Sequence, residues 1–70
     1  LKKLDLHGLK HHEVAIKVEN FVLLNQQSLP LEIVCGKSQK MIEIVTNVLD
    51  EIDCENYIIK DFGTIIVRKI

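Results

Sequence analysis

Asp5 and His7 stand two residues apart in Leu4-Asp5-Leu6-His7-Gly8, the spacing at which side chains of an extended strand share one face. An imidazole moves protons near neutral pH, and a carboxylate beside it can orient and stabilise it, so the two types together suit acid–base chemistry. A second stretch, Gly36-Lys37-Ser38, joins a glycine that lets backbone approach a ligand to a cation and a hydroxyl. If a helix starts at Ser38, its free amides add a place for an anion such as phosphate. Each stretch also has a plainer reading. Asp5 and His7 can form a strand-end hydrogen-bond pair, and Gly36 to Ser38 an ordinary turn with a serine cap.

The elements that would carry these residues follow from periodicity. Leu4 and Leu6 face a core while Asp5 and His7 face away, and Gly8 permits a tight exit from the strand. Val14, Val18, Phe21, Val22 and Asn25 recur at helical spacing and predict a first helix from about His11 to about Gln26. Glu13 suits the positive end of its dipole, and Ser28-Leu29-Pro30 ends it. Leu31 to Cys35 reads as a short buried strand. Ser38 is the expected N-cap of a second helix, whose stripe is Met41, Ile42, Val45, Val48, Leu49 and Ile52 and which closes near Asp53. Asn56 to Asp61 and Thr64 to Ile70 form two strands joined at Phe62-Gly63 as an antiparallel hairpin.

The order is therefore βαβαββ. Right-handed crossovers moving the same way place both helices on one side of the sheet. The expected architecture is an α/β (α+β) two-layer sandwich: a four-stranded mixed sheet, both helices on one face and the other face open. The two parallel strands become neighbours, so their carboxyl ends bring Asp5 to Gly8 beside Cys35 to Ser38, where ligands bind in open α/β sheets.

The pentapeptide Leu4-Asp5-Leu6-His7-Gly8, followed by Leu9 and a helix carrying Glu13, resembles the opening of the Smr (small MutS-related) domain. The second strand with its glycine loop, the second helix and the glycine-containing hairpin extend the resemblance over nearly the whole chain. It implies a mixed sheet like that of the C-terminal domain of translation initiation factor three, and a nucleic-acid-binding domain with DNA-nicking or RNA endonuclease activity. The family has a glycine-x-glycine loop, usually after threonine or histidine; here Gly36 keeps the first glycine, Ser38 stands at the second and Cys35 precedes them. The glycine-rich approach to the last strand is reduced to Gly63-Thr64, with Phe62 before it. In a cleaving domain His7 would carry the proton, Asp5 would orient it, and Lys37 with the Gly36 to Ser38 amides would hold the phosphate. Gly8, Lys10, His11, Gly36, Ser38 and Lys40 would contact the nucleic acid.

Other chemistries fit less well. A P-loop needs a glycine five residues before Gly36, where Leu31 stands, so nucleotide hydrolysis is not expected. Cys35 beside His7 has the elements of a nucleophile and base, but a small residue packed at a strand end is the simpler reading. His11 and His12 diverge by about 100° on a helix, so with His7 and Asp5 they do not make a specific metal site. The cation compatible with the site is a weakly held Mg²⁺ or Mn²⁺ bridging Asp5 and a substrate phosphate.

Composition bounds the partners. The chain has 70 residues, 47% of them hydrophobic, with three glycines and one proline, which suits one folded domain over 1–70 near the lower size limit for a single core. It starts at Leu1, so excision from a longer protein is an open expectation. A net charge of −1 offers no molecule-wide attraction for nucleic acid, so contacts with branched or structured DNA or RNA require a local patch. Lys2, Lys3, Lys10, Lys37 and Lys40, with Lys60, Arg68 and Lys69 on the hairpin, supply candidates; Glu43, Asp50, Glu51, Asp53 and Glu55 gather around the far half of helix two. The aromatics Phe21, Tyr57 and Phe62 are too few for stacking to dominate. Cys35 and Cys54 read as reduced thiols of a cytoplasmic protein, and no apolar run approaches the ~20 residues of a membrane span. The alternative class is an interaction module, with the open sheet face or the hairpin edge and its Ile66 binding a protein, a parent-chain domain or a second copy.

Overall fold

A computed structural model describes residues 2–61 and 63–70. Strand β1 (Lys2–Asp5) is followed by helix α1 (His11–Leu24), a 3₁₀ turn (Gln26–Ser28), β2 (Leu31–Val34), α2 (Gln39–Glu51), β3 (Asn56–Lys60) and β4 (Thr64–Lys69). The sheet order is β1-β2-β4-β3. β1 runs parallel to β2, whereas β4 is antiparallel to both its neighbours. This is the two-layer α/β sandwich with a four-stranded mixed sheet that the element order predicts. No helix among the described residues is long and apolar enough to cross a membrane.

The core lies between the helices and one sheet face. Leu6, Leu31, Ile33, Cys35, Ile65 and Val67 from the sheet meet Val14, Val18 and Val22 of α1 and Met41, Val45, Val48 and Leu49 of α2. Val14, Val18 and Val22 recur every four residues, and Met41, Val45 and the adjacent Val48 and Leu49 every three or four, as one buried stripe requires. The register puts Leu31 opposite Val67 and Ile33 opposite Ile65, so alternation leaves Glu32, Val34, Thr64 and Ile66 on the face without helices, each half-buried.

Local chemistry sets the helix ends. α1 stops at Leu24 rather than near Gln26, because the Asn25 side-chain amide donates to the Phe21 carbonyl at 2.6 Å and competes with another helical turn. Asn25, expected in the apolar stripe, is the residue that ends it. Ser38 caps α2, its hydroxyl accepting the Met41 N–H at 3.1 Å. At the other end the Cys54 N–H bonds the Leu49 carbonyl and the Asp53 N–H that of Asp50, with Asp53 at φ +58. That is a Schellman closure with aspartate at the position glycine usually holds.

Candidate functional site

One residue beyond β1, Leu6 still bonds to the neighbouring strand, donating its N–H to the Val34 carbonyl at 3.0 Å. The Asp5 carboxylate then accepts the His7 main-chain N–H at 2.9 Å, an Asx turn. The Leu9 N–H bonds the Leu6 carbonyl at 3.1 Å, and Gly8 has φ +85, the left-handed conformation a type II turn demands at its third residue. The strand expected to run through His7 therefore ends at Asp5. The physical reason is that Asp5 satisfies the backbone locally and bends the chain. Asp5 and His7 do meet, through carboxylate and amide; this bond shapes the turn and leaves His7 exposed beyond the strand.

The second segment departs from the neighbouring strand. Leu4 pairs with Ile33 and Asp5 with Val34, so the turn after β1 and the loop after β2 leave the same edge of the sheet side by side. Gly36 takes φ +70, and Gly36 and Lys37 are exposed. The Ser38 cap fixes the direction in which α2 departs. Both helices start at this end, since each returns antiparallel to the strand before it. Their first amides, with Lys10 and His11 at α1 and Lys37 and Lys40 at α2, all exposed, make this the more positive end of the molecule. The Lys10 main-chain N–H is occupied by the Glu13 carboxylate at 3.2 Å, so α1 meets a ligand with that amide already satisfied.

A third segment joins them, for which the sequence offered only a hairpin joint. The Cys35 N–H donates to the Gly63 carbonyl at 2.6 Å, pinning the β3–β4 connection against the Gly36 loop. Gly63 is buried, and a Cβ on it would overlap the Gly36 carbonyl oxygen and lie 2.6 Å from its carbon. Only glycine allows this approach. Phe62, expected in this turn, lies outside the described residues.

Register sorts the basic residues. Lys60 pairs with Thr64, and Thr64 with Val34, so Lys60 belongs to the end that carries the loops. Lys69 pairs with Asn56 at the far end of the hairpin and forms an ion pair with Glu55 at 3.0 Å; Arg68 is its neighbour. Lys2 precedes Asp5 by three residues, roughly 10 Å at ~3.3 Å per residue. Lys2, Arg68 and Lys69 are thus separated from the candidate site. Tyr57 is also remote, its hydroxyl held by Asp50 at 3.1 Å.

Cys35 is 4% exposed, and burial pushes its thiol up to about 11; a thiol so disfavoured as thiolate is a poor nucleophile, in keeping with the packed-residue reading. Among the described residues no three His, Cys, Asp or Glu side chains gather where they could hold a metal ion. The described residues therefore form no protein cage for Mg²⁺ or Mn²⁺.

A groove of about 490 Å³ that the sequence pattern does not announce lies beside the Gly36 loop, lined among the described residues by Lys37, Gln39, Ile42, Ile59, Asp61 and Gly63. Ile59 lies opposite Ile65 on the helix side of the sheet, yet it is 53% exposed because β3 is the edge strand. Asp61 sits at φ +56. The sequence signal was faint: an isoleucine one residue before the end of the hairpin's first strand. No family model, curated protein or solved structure matches the chain.

Proposed function

We propose that this chain is an Smr-like nucleic-acid-binding domain that grips backbone phosphate at the carboxyl ends of β1 and β2. The observation that supports this reading is the meeting, at one end of the sheet, of two positive-φ glycine loops, two helix N-termini and exposed Lys10, Lys37 and Lys40. Such a site recognises phosphate irrespective of sequence. Lys37 and the Gly36 to Ser38 amides hold the anion; Lys10, His11, Lys40 and the Gly8 turn flank it. Among the chain's residues His7 is the one suited to proton transfer in a nicking or RNA-cleaving reaction, with Asp5 acting on it through the turn geometry. The test is binding of branched DNA and structured RNA across a salt series, together with cleavage of supercoiled plasmid and RNA, by wild type, Lys37→Ala, His7→Ala and Asp5→Asn. Lys37→Ala is expected to weaken binding and to lower the salt slope by about one. Salt-independent or absent binding refutes the reading. Cleavage abolished in His7→Ala, with binding intact, makes the domain an endonuclease.

A second reading is favoured by one observation: Ile58 and Ile59 are 43% and 53% exposed on the free edge strand β3. Such an edge can pair with another chain, making the domain an interaction module. Association through it would persist at high salt.

A further inference from the structure

The groove between α2 and the end of β3 belongs to neither the acid–imidazole turn nor the anion loop, but it shares one residue with the loop. Lys37 both follows Gly36 and lines the groove. An occupant with a phosphate at the loop and an apolar, hydrogen-bonding body next to it would fill both. The groove matches that description. Ile42 and Ile59 supply apolar surface, and Gln39, the first residue of α2, and Asp61 supply polar groups among the described residues that line it. About 490 Å³ lies within the range of small-ligand sites.

Ile59 offers a surface suited to a flat apolar group. Its register partner Ile65 is fully buried, so Ile59 points to the core side of the sheet, and yet it is more than half exposed. It lines the groove together with Ile42 of α2. Unstacked bases are held by apolar side chains in this way, with polar groups reading their edges. Asp61 decides which base. A carboxylate offers two acceptors and, when ionised, no donor. Guanine presents two adjacent donors, N1–H and the 2-amino group. Adenine and cytosine each place an acceptor beside their amino group, and uracil flanks its single N–H with two carbonyls.

We propose that this groove receives an unpaired guanine of the nucleic acid whose phosphate rests on the Gly36 to Ser38 loop, an inference that depends on the phosphate-binding reading above. Ile42 and Ile59 contact the ring face, the Asp61 carboxylate accepts from N1–H and the 2-amino group, and Gln39 lines the same groove. The domain then prefers single-stranded or looped guanosine next to a gripped phosphate.

Fluorescence anisotropy with labelled uridine hexamers carrying one central guanosine, inosine or adenosine tests this. Wild type is expected to bind the guanosine hexamer on the order of tenfold more tightly than the adenosine one, with inosine, which lacks the 2-amino group, between them. Asp61→Asn keeps a residue that tolerates positive φ, so the fold survives; the variant is expected to lose the guanosine preference and keep the salt slope. Ile59→Ala should weaken the guanosine hexamer most. Binding with a normal salt slope but equal affinity for all three hexamers overturns this inference alone. Binding of no hexamer, structured RNA or branched DNA overturns it together with the phosphate reading. Ile59 methyl resonances that shift with protein concentration and not with the guanosine hexamer would mean that a second copy covers the groove, which also overturns it.

Discussion

Gly63→Ala is the sharpest probe of how the three loops are held together. The new methyl would occupy the position of the Gly36 carbonyl oxygen, and both groups are backbone-anchored, so one loop must move. Three costs follow. The residue at φ +149 enters a region L side chains avoid, worth about 1–3 kcal/mol. Relieving the overlap adds about 1–3 kcal/mol, as overpacking elsewhere does. Moving Gly63 away stretches the Cys35 N–H to Gly63 carbonyl bond, worth about 1 kcal/mol. Together they give a loss of about 3–7 kcal/mol, large for a 70-residue domain whose whole stability is about 4–10 kcal/mol at typical per-residue values. Urea denaturation followed by circular dichroism measures it: with an m-value near 1 kcal/mol/M, the midpoint should fall by about 3 M or more, or folding should fail. Gly8→Ala is the control. It has φ +85 with nothing within 4 Å of the added Cβ, so it should cost only about 1–2 kcal/mol, from backbone conformation alone. If Gly63→Ala is no more damaging than Gly8→Ala, the close approach of the two loops is refuted.

Three further outcomes are expected. Ser38→Ala removes the cap accepted from the Met41 N–H and should cost about 1 kcal/mol in thermal or urea unfolding, with Ser38→Asp restoring most of it. Asp53→Gly relieves a left-handed aspartate in the Schellman closure of α2 and should stabilise by roughly 0.5–1 kcal/mol; a loss of stability would contradict the closure. Cys35 is neutral when folded, its pKa raised from 9.0 to about 11. A raised folded-state value contributes stability that is fully present below pH 9 and lost as pH rises toward 11, with a slope of up to about 1.4 kcal/mol per unit. Wild type should therefore lose stability over that window faster than Cys35→Ala, and an identical slope in both would refute the assignment.

Much of the architecture was written locally. The three-and-four spacing of Val14, Val18 and Val22, and of Met41, Val45 and Val48, specifies which helix faces are buried. Ser38 fixes a helix start, and two parallel strands separated by helices must lie on a common sheet. The hairpin follows from two short apolar runs around Gly63. The element boundaries that shifted did so where a polar side chain bonded its own backbone: Asn25 ended α1 early, and Asp5 turned the chain before His7 could extend the strand. Alternation of apolar and polar residues does not register such bonds.

The sequence by itself determined the elements, their order, the buried stripes and the two glycine loops, because those depend on residues a few positions apart. Only the tertiary structure decided what the loops meet. Gly63 touches Gly36 across 27 positions, Lys60 joins the loop end while Lys69 is carried to the other, and Ile59 stays uncovered because β3 lies at the sheet edge, beyond the helices. These are consequences of strand order and register, which place residues through hydrogen-bonded ladders rather than through local preference. The candidate site is therefore half legible: its chemistry is spelled in Asp5, His7, Gly36, Lys37 and Ser38, and its shape is set by a hairpin that comes last in the chain.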